Sequence, residues 1–239
     1  MRKLLALIVL GLATLFVAPA TQAADMPYYP PDLDVPDVDY GLEGGFYLRG
    51  SVGGNLMWAR DFNVDCICGP TGPYQFERAG WGYSFGAGIG YEFGDGLRTD
   101  VTVDYLHNEG LFGTISAPGT STFRLRSTVA LANVYYDFGL GDGFGSANGG
   151  FGAYVGGGLG LAHYEISDIG PAPDPTGTGI TGAAAIMAGV SYDMGSAVAD
   201  IGYRGIYMPV ITNSNIDDPI YIHDAFIHEL RGTVRYRFN

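Results

Sequence analysis

The chain has 239 residues, a formal net charge of -13, 39 glycines and two cysteines, and 47% of its residues are hydrophobic. The length suits one domain or two small ones. The apolar content excludes a disordered or collagen-like chain, and the acidic balance argues against nucleic acid as a partner, because binding phosphates needs a basic surface. We therefore expect a folded core or a membrane wall.

The N-terminus has the pattern of a secretory signal. Arg2 and Lys3 precede an apolar run over residues 4–18, and the small-residue pattern Thr21-Gln22-Ala23 follows. We predict a signal peptide over residues 1–23, cleaved after about Ala23. An uncleaved anchor is the alternative, but the run is shorter than the roughly 20 residues that span a bilayer.

Residues 24–44 are acidic and rich in proline. This composition disfavours a strand. We predict a flexible periplasmic lead, and a partner-binding tail and a plug for the lumen stay open as alternatives.

Beyond residue 23 apolar residues alternate with small or polar ones, as in strands with two different faces. The clearest case has Trp81, Tyr83, Phe85, Ala87, Ile89, Tyr91 and Phe93 on one face, with mostly glycine and serine on the other. The predicted strands are 45–60, 81–93, 97–109, 123–138, 151–166, 180–193, 197–211 and 226–238. The facing of 123–138 stays open, because neither parity is consistently apolar.

The connections alternate in length. Residues 94–96 and 194–196 read as tight turns, whereas 61–76, 110–122, 167–179 and 212–225 read as long loops. The connection at 139–150 is longer than this scheme predicts. If the chain starts in the periplasm, every long loop lies outside the cell, as in outer-membrane barrels.

The pattern predicts an all-β fold over residues 45–239, an eight-stranded antiparallel up-and-down transmembrane β-barrel. A soluble carrier barrel is the alternative. The membrane barrel is favoured because the apolar face ends in aromatics, as interface girdles do. The other face is crowded with small residues, and the inside of an eight-stranded barrel is only just wide enough for side chains.

Several short motifs carry a family resemblance when taken in order. They are Gln22-Ala23-Ala24-Asp25, Tyr28-Tyr29-Pro30-Pro31-Asp32, Gly45-Phe46-Tyr47-Leu48-Arg49-Gly50, Gly90-Tyr91-Glu92-Phe93 and Tyr236-Arg237-Phe238. The chain resembles the small outer-membrane surface antigens of alphaproteobacteria, a porin-family group within the opacity-protein and OmpA-like eight-stranded barrels.

The resemblance implies an integral outer-membrane protein of a Gram-negative bacterium, and some relatives are credited with haemin binding or adhesion. It also implies assembly through the C-terminal strand by the barrel-assembly machinery. This chain departs from the pattern in ending on Asn239 rather than on an aromatic residue. It also lacks the peptidoglycan-binding domain of full-length OmpA, so peptidoglycan anchoring is not carried over.

The inward face of the strands with clear parity carries as many arginines as carboxylates. The predicted interior charges are Arg49, Glu92, Arg98, Asp100, Asp104, Asp193, Asp200, Arg204, Glu229, Arg231, Arg235 and Arg237. Because unpaired charges in a narrow lumen are costly, we expect Arg–carboxylate pairs. One interpretation is a salt-bridged plug that replaces a hydrophobic core. The other is a narrow charge-lined path for ions or small solutes, gated when the pairs rearrange.

Arginines also occur at the predicted outer ends of strands, below acidic loops. Arg60, Arg78, Arg124 and Arg126 are possible contacts to lipopolysaccharide, since guanidinium groups bind phosphate bidentately. Pairing with the acids of the long loops above them is the alternative that we prefer; these acids are Asp61, Asp65, Asp168, Asp174, Asp217, Asp218 and Asp224.

The remaining candidates are cysteines and histidines. Cys66 and Cys68 form a possible small disulfide in an oxidising compartment, and no metal site is expected around them because further ligands are missing. His107, His163, His223 and His228 read as interfacial rather than as haem ligands. His223-Asp224 alone does not make a catalytic site, so we predict neither an enzyme nor a cofactor.

We conclude that the barrel has a structural and surface-presenting role, in contact with outer-membrane lipid and lipopolysaccharide. A porin-like channel is the first alternative. A haem-binding or adhesive receptor, with a host or environmental ligand at the loops, is the second.

Overall fold

The computed structural model describes residues 44–66, 69–94, 96–115, 119–139, 150–169, 176–212 and 220–238. The predicted signal peptide lies outside the described residues, as does the predicted lead except for its last residue. Within the ranges described, no helix is both long enough and apolar enough to span a membrane.

The described residues form ten strands. Their bounds are β1 Gly45–Trp58, β2 Asp61–Cys66, β3 Gly69–Arg78, β4 Gly80–Glu92, β5 Leu97–Ile115, β6 Gly119–Gly139, β7 Gly150–Asp168, β8 Gly177–Asp193, β9 Ala197–Thr212 and β10 Ile220–Phe238.

Eight of these strands close into an antiparallel ring. β1 pairs with β4, each strand from β4 onward pairs with the next in the chain, and β10 pairs back with β1. The hairpin of β2 and β3 extends this ring, because β2 continues on β10 and β3 continues on β5. Closure leaves no free sheet edge along the ring. The predicted eight-stranded up-and-down barrel is confirmed.

The two ends of the ring differ. At the turn end the chain reverses between β4 and β5 and between β8 and β9, where Gly94, Gly96 and Gly195 have φ values of 88°, 87° and 91°. These are left-handed conformations that favour glycine. The opposite end, which carries the β2–β3 hairpin, is called the loop end.

The strands continue further toward the loop end than predicted. The ranges 61–76 and 110–122, which were predicted as loops, are largely strand, since β2 and β3 occupy the first and β5 and β6 occupy most of the second. The ladder between β5 and β6 is paired up to Ile115 and Gly119. Because main-chain pairing does not require lipid, these strands keep their partners beyond the apolar band.

The structure also determines the facing of β6. Its odd residues point inward, and they include buried Val129 and Leu131, whereas Ala130 and Ala132 face outward. Both faces are therefore apolar over this stretch, which is why the sequence pattern did not settle it.

The outer wall is apolar and exposed, as a lipid-facing surface must be. Leu159 and Trp81 expose 71% and 72% of their surface. Aromatic rings pack in pairs around the turn end, for example Tyr236 with Phe238. The ring centroids of these pairs are 5.0–6.0 Å apart. Such a band of aromatic rings is typical of the girdles that flank the apolar band of outer-membrane barrels.

One ladder stops short of the loop end. β8 and β9 are paired from Asp193 and Val198 up to Ala184 and Tyr207. Just above, Pro209 has no N–H to offer to a ladder. From β7, the Tyr164 hydroxyl accepts a hydrogen bond from the Thr212 amide at 3.1 Å. Side-chain contacts thus take over from main-chain pairs at this seam.

Candidate functional site: the barrel interior

The interior is divided into two compartments of opposite chemistry. From the turn end to about half-way along the strands it is filled by charged side chains, which we call the ionic compartment. Its members are Arg49, Glu92, Arg98, Asp100, Asp104, Asp137, Asp193, Asp200, Arg204, Glu229, Arg231, Arg235 and Arg237. The loop-end half is an apolar compartment.

Arg204 is the centre of the deeper part of the ionic compartment. Its guanidinium is 2.6 Å from a carboxylate oxygen of Asp104 and 2.7 Å from one of Glu229, and all three side chains are at most 2% exposed. Arg231 lies 3.6 Å from Asp104 and donates to the Ser51 hydroxyl at 2.6 Å. Two arginines and two carboxylates thus neutralise one another here.

Nearer the turn end, a larger network links neighbouring strands as well as strands that are not neighbours in the ring. Arg49 of β1 contacts Asp100 of β5 at 2.8 Å, and Arg98 contacts Asp137 of β6 at 2.6 Å. The Arg98 guanidinium carbon also lies 3.7 Å from the Tyr135 ring centroid, a cation–π contact.

Glu92 completes this network at the rim. Its carboxylate accepts bonds from Arg235 at 2.7 Å and from Arg237 at 2.6 Å, and Arg237 reaches Asp193 at 2.7 Å. Carboxylates held by two guanidinium groups form charge-assisted bonds, which are among the strongest hydrogen bonds in proteins.

The structure places all twelve predicted interior charges inside the ring and in ion pairs. Ten of them are buried, and Glu92 and Arg237 are half-buried at the turn end. The sequence prediction missed Asp137, which pairs with Arg98 and Arg235. The missing signal was the parity of β6, on which Asp137 shares the inward face with Tyr135.

Inward-facing glycines lie beneath the large side chains of neighbouring strands. A Cβ on Gly90 would come within 2.4 Å of the Tyr47 ring, and one on Gly156 within 2.4 Å of the Tyr135 ring. Gly202 has the same relation to the Tyr154 hydroxyl, at 2.1 Å. The small residues on the inward face therefore leave the space that interior aromatic rings and carboxylates occupy.

The apolar compartment corrects the expectation of an interior filled throughout by Arg–carboxylate pairs. The loop-end half holds a packed hydrophobic core whose buried members include Met57, Phe62, Leu106, Leu111, Phe123, Leu125, Ile166, Ile206, Met208, Ile211, Ile222 and Ile227. The Phe62 ring contacts those of Tyr74, Phe76 and Phe123, with centroids 4.8–5.7 Å apart. The physical reason is that the extended strands and the β2–β3 hairpin bring apolar residues inward above the charges.

The four arginines predicted at the outer strand ends do not form one ring. Arg124 pairs with Glu109, Arg126 lies 3.5 Å from Glu165, and Arg60 pairs with Asp224. The exposed Arg78 lies above the Phe112 ring, 5.3 Å from its centroid. Three of the four thus contact carboxylates, but of these carboxylates only Asp224 belongs to the predicted loops. Glu109 and Glu165 lie opposite the arginines on the neighbouring strands β5 and β7, so the expected pairing with loop acids is corrected for Arg124 and Arg126.

The histidines are dispersed. His107 stacks on Tyr83 with centroids 5.2 Å apart, and the Tyr203 hydroxyl lies 2.7 Å from Nδ1 of His228. His223 lies near Asn63, and His163 is exposed. Among the residues described, no group of three or more His, Cys, Asp or Glu side chains is arranged to hold a metal ion.

The predicted disulfide falls at the margin of the described part. Cys66 is the last residue of β2. Its side chain and Cys68 lie outside the described residues, so the bridge stays a prediction.

Comparison with known proteins agrees with this geometry. The family model described as "Outer membrane protein beta-barrel domain" matches residues 8–238. The chain is similar in structure to OprG from Pseudomonas aeruginosa, with 12% identity, a TM-score of 0.53, and coverage of 83% of this chain and 99% of OprG. It is also similar to Neisserial surface protein A, with 22% identity, a TM-score of 0.48, and coverage of 81% and 97%. None of the curated proteins matches this chain.

Proposed function

The chain belongs to the family of outer membrane protein beta-barrel domains, and on this premise we propose that its main role is structural and surface-presenting. Family membership places it in the Gram-negative outer membrane. In our proposal the signal peptide is removed after about Ala23, the turn end faces the periplasm, and the loop end faces the exterior. Barrels of this class have short periplasmic turns and longer external connections.

One observation carries the proposal. The interior is filled at two levels, first by paired charges and then by packed hydrocarbon. The ionic compartment has buried members on both sides of the ring, such as Arg204 of β9 and Asp104 of β5, which contact each other across the lumen. An eight-stranded ring is only just wide enough for its own side chains, and these side chains interdigitate.

The porin-like channel is the competing function. It would need the ion pairs to part and the apolar compartment above them to become hydrated at the same time. Hydrating the second compartment means exposing Phe62, Leu106 and Met208 to water, which is unfavourable for each side chain. This second barrier favours a closed barrel over a gated path.

Three further points belong to the proposal. The outermost surfaces, not the lumen, serve as contact sites for a host or environmental ligand. The four histidines are spread over β5, β7 and β10, which disfavours a haem receptor, and we propose neither catalysis nor a cofactor. Strand β10 ends the ring with outward Tyr236 and Phe238, and we propose that the assembly machinery recognises this strand.

Planar-bilayer conductance of the refolded mature chain tests the proposal. The folded state is first verified by the shift of gel mobility on heating. We expect no discrete current steps from folded protein. Reproducible steps that change when Asp104 or Arg231 is neutralised would overturn the proposal in favour of the channel.

A further inference from the structure

Six polar side chains form a patch on the outer wall of three adjacent strands at the loop end. This wall cluster consists of His107 and Glu109 of β5, Arg124 and Arg126 of β6, and His163 and Glu165 of β7. Arg124 is directly opposite Glu109 in the ladder, and Arg126 is opposite Glu165. The cluster accounts for two of the four arginines that the sequence assigned to strand ends.

The depth of the cluster is marked by aromatic side chains. The Tyr83 ring stacks on His107, and Trp81, the neighbour of Glu109 on β4, is largely exposed. Tyr and Trp concentrate at the level of the lipid headgroups. Given the orientation in the proposed function, on which this inference rests, the wall cluster lies among the headgroups of the outer leaflet.

Both arginines have donors to spare. Arg124 contacts Glu109 through Nε, and Arg126 contacts Glu165 through Nη1 at 3.5 Å. A guanidinium has five N–H donors, so most of each group stays available. The Arg126 and Glu165 side chains are 44% and 41% exposed, and ion pairs as exposed as this one contribute little and exchange partners readily.

We propose that the wall cluster binds a phosphate of an outer-leaflet lipid headgroup, with Arg124 and Arg126 as the donors. Both guanidinium groups lie on the outer face of the wall cluster. The planar N–H donors of a guanidinium match the geometry of phosphate oxygens. Glu109 and Glu165 hold the arginines in position when the lipid is absent and compete with it when it is present. His107 and His163 flank the donors.

The other two arginines provide the contrast. Arg60 is tied to Asp224, which also accepts a hydrogen bond from the Tyr207 hydroxyl. Arg78 lies on β3 opposite Phe112 of β5, three residues beyond Glu109 toward the loop end, and its guanidinium lies over the Phe112 ring. The site is therefore one-sided, on the β5–β7 wall, and is not a ring around the barrel.

The test is direct binding of purified lipid A to the refolded barrel in detergent. We expect the double variant Arg124→Gln/Arg126→Gln to bind bis-phosphorylated lipid A about tenfold more weakly, whereas Arg78→Gln changes affinity less than about twofold. Equal weakening by Arg78→Gln would mean non-specific attraction and would overturn the site. Unchanged affinity in the double variant would overturn it as well.

Two matched arms identify what is recognised. Dephosphorylated lipid A should bind the wild type as weakly as phosphorylated lipid A binds the double variant. If the wild type bound both lipids equally, the contact would be made through the acyl chains, which would contradict the proposal. Inorganic phosphate should not compete at millimolar concentration; competition would mean a free-anion site instead.

A charge-matched pair sharpens the result. Glu109→Gln and Glu77→Gln change the net charge equally, but only Glu109 lies in the cluster. We expect tighter lipid A binding for Glu109→Gln alone, and equal effects would contradict the proposal.

The orientation of the barrel is checked separately. An externally added maleimide should label a Glu77→Cys variant on whole cells, in a background with Cys66→Ser and Cys68→Ser. Binding in detergent does not depend on conductance, so the two proposals fail independently.

Discussion

The two halves of the lumen fill the same ring of strands by opposite means. In the ionic compartment each buried group depends on a partner of the other sign, as Arg204 depends on Asp104 and Glu229. In the apolar compartment side chains such as Leu106 and Met208 depend only on shape and exclusion of water. The first half is therefore sensitive to charge balance and the second to volume.

The largest effect should follow the loss of one charge from the deep ionic group. Arg204→Met leaves Asp104 and Glu229 sharing Arg231 alone, and an uncompensated buried charge costs about 3–5 kcal/mol. Urea unfolding in lipid vesicles, followed by the fluorescence of Trp58 and Trp81, measures the free energy of unfolding.

A charge-restoring variant separates this effect from lost packing. Arg204→Met/Asp104→Asn removes one charge of each sign and leaves Arg231 with Glu229, so we expect it to recover more than half of the loss. If the double variant is less stable than Arg204→Met, the importance of charge balance in this half is contradicted.

The matching change in the other half removes volume. Leu106→Ala leaves a cavity in the apolar compartment and should lower the free energy of unfolding by about 3 kcal/mol. Val103→Ala on the same strand removes an outward, lipid-exposed side chain and serves as the control, with a much smaller expected effect. Equal losses would mean that this half is not packed as a core.

A third change adds volume where the structure has none to spare. Gly156→Ala places a methyl group against the Tyr135 ring, and overpacking of this kind costs about 1–3 kcal/mol. Gly232→Ala is the control, because no atom lies within 4 Å of its Cβ position. A stability loss confined to Gly156→Ala would show that the inward glycines are required by their neighbours.

The seam between β8 and β9 predicts a smaller effect. Tyr164→Phe keeps the ring but removes the hydroxyl that accepts the Thr212 amide, so we expect a loss of about 1 kcal/mol. Amide exchange of Thr212 should also become faster. Unchanged exchange would mean that this hydroxyl does not hold the seam.

The smallest effect belongs to the outer wall. Arg126→Gln removes one exposed ion pair, and the free energy of unfolding should change by less than about 0.5 kcal/mol. A larger loss would mean that the wall cluster supports the fold and would weaken the assignment of its arginines to lipid.

Alternation made the turn-end half of this molecule predictable. There the outward face is aromatic and aliphatic while the inward face carries Arg98, Asp100 or Arg235, so period 2 separates the two faces. The strands, the tight turns at 94–96 and 194–196 and all the interior charges outside β6 could be derived from this contrast.

The middle of β6, opposite Asp104, could not be derived in the same way, because both of its faces are apolar around Val129 and Ala130. The strand extensions were missed for a related reason. Leu111 and Gly113 alternate with Phe112 and Thr114, but this stretch lies among polar and turn-forming residues that resemble a loop. Which charges pair across the ring depends on register between distant strands, which a single sequence does not display.

The central claim is that two different plugs lie in series along one lumen. Planar-bilayer conductance of three folded variants tests it. The first is Arg204→Ala/Asp104→Ala, which removes the ion pair that crosses the lumen; the second is Phe62→Ala/Leu106→Ala, which opens the apolar compartment; and the third combines the four changes. We predict no current from the first two and discrete steps only from the combination. Steps from Arg204→Ala/Asp104→Ala alone would contradict the account, because they would show that the apolar compartment is no barrier.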